Sequence, residues 1–200
     1  MHANYIAGQW LEGEGATRDI NPSDVTDLVG EYAHATPAQV DRAIGAARDA
    51  AHRWGLASAT QRAECLDAIG IELLRRKDEL GRLLAREEGK TLPEAVGEAA
   101  RAAAIFRFFA GEALRVRGDR LPQARAGVDV EVTREPVGVV GLITPWNFPL
   151  AIPAWKIAPA LAYGNAVVFK PADLVPGSAW ALAEIISRAG LPEGVFNLVM

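Results

Sequence analysis

From Val137 to Met200 the chain alternates between two kinds of apolar segment, and that alternation limits the available folds more than any other feature. VGVVGLI is a nearly continuous apolar run, as a strand buried on both faces must be. A helical stretch follows from about Pro149 to Tyr163, with Pro159 placed to kink it, and Gly164 and Asn165 close it. AVVFK repeats the buried-strand pattern, GSAWALAEIISRAG the helical one, and VFNLVM the strand again. Strand, helix, strand, helix, strand is the mononucleotide-binding half of a doubly wound, Rossmann-like α/β fold. Three parallel strands with two crossover helices make a poor closed unit, and the chain stops at Met200 inside an apolar run. The sequence is therefore expected to be the front part of a longer protein, incomplete at its C-terminus.

The first half supplies helices to cover such a sheet. NYIAGQWLEGEG alternates around Ala7 and Gly8 and reads as a hairpin, and DLVGEYAH as a further strand. Thr36-Pro37-Ala38-Gln39 combines an N-cap, a proline at the first helical position and a capping-box Gln. Ser58 and Gln61 open a second helix, whose stripe of Leu66, Ile69, Leu73, Leu80 and Leu84 runs to about Gly89. Thr91 and Glu94 open a third, ending near Val116. Arg117 to Gly127 reads as a connector. VDVEVTREPVGV then alternates at period two, a half-exposed strand that invites a subunit contact at its edge.

Composition excludes several classes of function. A formal net charge of −4 argues against nucleic acid or an anionic membrane as partner. No run approaches the ~18 apolar residues needed to span a bilayer. The N-terminus lacks a signal-peptide pattern and the chain has a single cysteine, which together point to a cytoplasmic protein. His2, His34, His52 and Cys65 have no metal-site spacing. Cys65 lies on a helix beside an apolar stripe, so a structural role is expected for it. No GxxxxGK[ST] motif occurs, which sets a P-loop phosphate binder aside.

In an open parallel sheet, ligands bind outside the carboxyl ends of the strands. Thr144-Pro145-Trp146-Asn147 follows the first buried strand and Lys170-Pro171-Ala172-Asp173 the second, so topology puts Asn147, Lys170 and Asp173 around one crevice. Each also has a plainer reading. Asn147 fits a turn, Lys170 a solvated strand end, and Asp173 a loop acid or helix cap. Thr144 and Phe148, however, each precede a proline, and rigid backbone on both sides of one amide suits a donor that must be aimed.

The motifs NYIAGQW, INPSD, EEGKTLPEA, REPVGVVGLITPWNFPL, AWKIAPALAYGNAVVFKPAD and AGLPEGVFNLV, in this order, resemble the N-terminal part of the aldehyde dehydrogenase superfamily over nearly the whole chain. EEGKTLPEA, FFAGEALR and NFPLAIPAWKIAPALAYGN look most like bacterial enzymes acting on α-ketoglutaric semialdehyde. Succinate-semialdehyde and other aldehyde dehydrogenases share much of that likeness. The resemblance implies NAD(P)-dependent oxidation of an aldehyde to an acid through a cysteine thiohemiacetal and thioester, here α-ketoglutaric semialdehyde to 2-oxoglutarate. It assigns Asn147 as oxyanion donor, Ile143, Thr144, Pro145 and Trp146 as dinucleotide contacts, and Lys170, Ala172 and Asp173 as the segment holding the adenosine ribose. Asp173 stands where the family more often has glutamate, so NAD is favoured only slightly over NADP. Residues 1–120 would be the first part of the cofactor domain, 121–137 an oligomerisation hairpin serving a homodimer or homotetramer, and 138–200 the βαβαβ half. The family's phosphate loop, general-base Glu and nucleophilic Cys belong beyond Met200. A truncated paralogue that only binds nucleotide or pairs with a subunit is the competing expectation.

Overall fold

The computed structural model describes residues 1–122 and 125–200. The chain opens with a hairpin, β1 (Asn4–Ile6) and β2 (Gln9–Leu11), then a second antiparallel pair, β3 (Ala16–Ile20) and β4 (Leu28–Ala33). Four helices follow: α1 (Pro37–Gly55), α2 (Ala59–Arg75), α3 (Lys77–Glu88) and α4 (Leu92–Ala113). A ribbon of β5 (Asp119–Pro122) and β6 (Asp129–Val132) leads into β7 (Val139–Ile143), α5 (Ala151–Ala162), β8 (Ala166–Lys170), α6 (Pro176–Ser187) and β9 (Phe196–Leu198).

Strands β7, β8 and β9 are parallel neighbours, and the N-terminal hairpin joins β9 antiparallel, giving a sheet of order β2-β1-β9-β8-β7. Burial on β8 explains why its sequence does not alternate. Ala166 and Val168 pack with Ala43, Ala47 and Ala51 of α1, whereas Val167 and Phe169 join the core shared with α5 and α6. Both faces of β8 are thus dry, whereas β7, expected to be buried on both faces, lies at the sheet edge with Gly141 and Ile143 exposed. Helix α1 covers one face; α5 and α6 cover the other, and α2, α3 and α4 form a further layer packed on them. Buried asparagines fasten the joints. Asn165 accepts from Gly138 N at 3.1 Å and donates to Ala160 O at 3.2 Å, tying the start of β7 to the end of α5. Asn4 and Asn197 likewise pin the N-terminal hairpin to β9.

The helix starts follow their local signals. Thr36 and Gln39 form the complete capping box, and Ser58 accepts from Gln61 N. The stripe from Leu66 to Leu84, expected as one helix, is divided. At Arg76 (φ −96°, ψ 10°) the chain leaves α2 and enters α3, with neither glycine nor proline to announce it. The stripe hides the break because α2 and α3 both pack on α4 and α6. Arg76 secures the corner, reaching Glu79 at 2.6 Å and Glu184 of α6 at 2.7 Å. A second difference lies in the stretch from Arg117 to Gly127. Asp119–Pro122 is a strand, because it supplies the partner that Asp129–Val132 needs. Residues 123 and 124, which fall in the expected connector and hairpin, lie outside the described residues. The ribbon is almost wholly exposed, with Leu121, Val128 and Val132 among its solvent-facing side chains.

Candidate functional site

Two segments leave the carboxyl edge of the sheet side by side. Ile143 is in register with Lys170, and Thr144 N donates to Lys170 O at 3.3 Å. Thr144 is buried, Ile143 is 76% exposed, and Pro145, Trp146 and Asn147 project from the edge. Across from them Lys170 Nζ meets Asp173 Oδ1 at 2.5 Å, with Ala172 half-buried between. An exposed ammonium and carboxylate at the mouth of a parallel strand offer N–H donors beside two acceptor oxygens. That donor set fits a cis-diol such as a ribose.

Asn147 differs from every other asparagine of the chain. Asn4, Asn21, Asn165 and Asn197 each spend their side-chain amides on protein partners. Among the described residues the Asn147 side chain makes no hydrogen bond; only its backbone oxygen is engaged, by Lys90 Nζ at 3.4 Å. The turn reading of its amide therefore lacks support, because an Asx turn would engage that side chain.

The backbone around Asn147 is held from α4 and the segment that joins α3 to it. Helix α5 has no side-chain cap of its own. Its Ile152 and Ala154 amides reach Phe148 O and Leu150 O, and Pro153 has none to satisfy. That leaves the amides of Leu150 and Ala151, and both donate to Glu98 Oε1 of α4, at 2.9 and 3.0 Å. Glu98 is 5% exposed, and its other oxygen takes Lys90 Nζ at 2.5 Å. Lys90 also lies 2.8 Å from Glu88 and 4.5 Å over the Phe148 ring. Burial works against the charge on Lys90, but Glu88 and Glu98 outweigh it and hold the ammonium above the ordinary lysine value. These groups, with Glu94, Gly97 and Arg101, line a cleft of 390 Å³ that Asn147 and Phe148 complete.

A model of the aldehyde dehydrogenase family matches residues 10–200. The chain belongs to that family. It is 42% identical over 200 residues to an alpha-ketoglutaric semialdehyde dehydrogenase of Bacillus subtilis, covering 99% of this chain and 41% of that protein. It is 40% identical to a 2,5-dioxopentanoate dehydrogenase of Saccharolobus solfataricus, covering 98% and 41%. Among solved structures it matches an E. coli NADP dependent enzyme at TM-score 0.96 and 40% identity, over 99% of this chain and 41% of that one. A Staphylococcus aureus betaine aldehyde dehydrogenase in complex with NAD+ matches at TM-score 0.95 and 33% identity, over 100% and 40%. The chain thus spans about 41% of the length of the curated relatives it matches.

In this aldehyde dehydrogenase chain, sequence reasoning passed over Lys90 and Glu98. A signal was present: Glu98 sits on the face of α4 that buries Ala95, Ala99 and Ala102, where a charge needs a partner. It also passed over Asp19 and Glu87, a buried carboxylate pair. Glu87 takes Ser178 N at 2.9 Å and Ser178 Oγ at 2.5 Å, together with Gly177 N, at the start of α6. Burial pushes Glu87 up to about 8, with the Asp19 charge adding to the rise, and pushes Asp19 up to about 6 against the lowering effect of its hydrogen bond with Glu87. Cys65 is buried in the main core, and desolvation raises its thiol pKa, the opposite of an activated nucleophile. Among the described residues no helix is long and apolar enough to cross a membrane.

Proposed function

We propose that this chain is the cofactor-holding and oxyanion-stabilising part of a cytoplasmic NAD(P)-dependent aldehyde dehydrogenase. Its substrate would be an aldehyde with a carboxylate at the far end, α-ketoglutaric semialdehyde, oxidised to 2-oxoglutarate. The observation that carries this reading is the Asn147 amide, unengaged among the described residues and exposed at a sheet edge whose neighbouring segment presents the Lys170–Asp173 pair.

In that role Asn147 donates from its amide to the oxygen of the thiohemiacetal formed when a thiolate attacks the aldehyde carbon. Pro145 and Pro149 limit the backbone on either side, so the donor needs little reorganisation as charge develops. Cys65 is buried, so the attacking thiol comes from outside these residues. Lys170 and Asp173 hold the ribose hydroxyls, with Ala172 between them, and Ile143 to Trp146 flank the dinucleotide. When bound, the nicotinamide supplies a hydride acceptor. The Asp173 carboxylate accepts from a 2′-hydroxyl and repels a 2′-phosphate, which favours NAD, while Lys170 tempers that repulsion for NADP. Arg101 lines the same cleft as Asn147 and, among the described residues, pairs with no carboxylate. It supports a substrate that carries its own, as do the semialdehyde names of the relatives. The exposed β5–β6 ribbon would pair subunits in a homodimer or homotetramer.

The test is a panel of semialdehydes and uncharged aldehydes offered to the full-length protein with NAD and with NADP, followed by absorbance of the reduced nicotinamide. A highest kcat/KM for α-ketoglutaric semialdehyde supports the reading. Reduction with none of the aldehydes overturns it.

A further inference from the structure

Among the described residues the Asn147 amide has no protein partner, so its direction is set by the backbone that carries it. That backbone is anchored from another part of the chain. Glu98 takes both orphan amides at the start of α5, and Lys90 bridges Glu98 to the carbonyl of Asn147 itself. A local cap would satisfy the same amides with less desolvation, since a Ser or Asp just before the helix serves that purpose. Here Phe148, Pro149 and Leu150 occupy those positions. Capping has been handed to a buried carboxylate on α4, which couples the oxyanion turn to the helical layer rather than to its own loop.

Resting on the function proposed above, we propose that Glu98, balanced by Lys90, is a positioning residue that fixes where the Asn147 amide points. It touches no reacting atom. Its work is to hold residues 147–151 in one arrangement, because misplacing a catalytic donor by about 1 Å can cost on the order of 100-fold in rate.

Glu98→Ala in the full-length enzyme is expected to lower kcat by about 100-fold while cofactor KM stays within about twofold. The double variant Asn147→Ala/Glu98→Ala should be no slower than Asn147→Ala alone, because a misaimed donor and a missing donor cost the same interaction. Glu98→Gln should recover part of the rate, since its amide oxygen still accepts from the helix. Hydrogen exchange at the Leu150 and Ala151 amides should quicken in Glu98→Ala and supplies a readout independent of turnover. Losses that multiply in the double variant, or unchanged amide exchange, overturn the inference. Should Glu98→Ala not fold, Lys90→Met, which leaves the cap and removes the bridge to Asn147, carries the same comparison. A wild-type enzyme that oxidises no aldehyde sinks the functional reading itself; an active wild type with an unimpaired Glu98→Ala sinks the positioning role alone.

Discussion

Replacing Asn147 and Asn165 by alanine separates an asparagine that acts from one that holds. Asn165 is 8% exposed and makes two side-chain hydrogen bonds. Its truncation leaves Gly138 N without an acceptor, while Ala160 O keeps the Asn165 amide at 2.9 Å. One orphaned buried donor costs about 1–3 kcal/mol and the second lost bond about 1, so Asn165→Ala should lower the unfolding free energy by about 2–4 kcal/mol. Among the described residues Asn147 has no such bonds to lose, and it is exposed, so Asn147→Ala should change stability by no more than about 0.5 kcal/mol. Its cost should fall on kcat instead, on the order of 100- to 1000-fold, or about 2.7–4 kcal/mol of transition-state stabilisation. Denaturant unfolding and steady-state kinetics of both variants in the full-length protein test the contrast. Equal destabilisation by the two substitutions, or an unaltered kcat for Asn147→Ala, would show that Asn147 serves the turn and would refute the oxyanion role.

Lys170→Ala should raise the KM for cofactor with little change in kcat; an unchanged KM would return Lys170 to a solvated strand end. Arg101→Ala should raise KM for a semialdehyde while leaving an uncharged aldehyde unaffected, and a parallel loss on both would exclude carboxylate recognition. The Asp19–Glu87 pair makes a prediction about pH. Both carboxyls have folded-state pKa values above their ordinary ones, about 6 and about 8 against 3.8 and 4.5, so the folded protein keeps protons that the unfolded chain releases. Their contribution is fully present below about pH 4 and is lost as pH rises toward 8, by at most about 1.4 kcal/mol per pH unit for each proton. Glu87→Gln should flatten that decline in urea-unfolding midpoints between pH 5 and pH 8, and a slope identical to wild type would contradict the assignment.

What the sequence disclosed and what it concealed divide along the range of the interaction. The βαβαβ order, the capping box at Thr36 and the placement of Asn147 and Lys170 at adjacent strand ends depend on residues a few positions apart, or on a topology with few alternatives. The break at Arg76 was hidden because its cause is tertiary: the guanidinium turns the corner by reaching Glu184, far along the chain. The strand at Asp119–Pro122 was hidden because its composition is that of a loop, and pairing with β6 overrides it. Lys90 lies inside the EEGKTLPEA motif and Glu98 just beyond it, but their work is done on residues some fifty positions later.

The first helical layer and the sheet are joined by a device used twice. Each crossover helix begins without a side-chain cap of its own. Each then receives a buried carboxylate from the N-terminal half: Glu98 of α4 serves α5, and Glu87 of α3 serves α6. A helix N-terminus carries partial positive charge and unsatisfied amides, so a carboxylate brought there satisfies the helix and offsets its own desolvation. The two sites differ in their counter-charge. Glu98 is balanced by Lys90 within 2.5 Å, whereas Glu87 faces Asp19, and burial holds both acids toward their neutral forms. The cap at α6 therefore changes its charge as the pH rises toward 8. The consequence is that pH should act on stability through the start of α6.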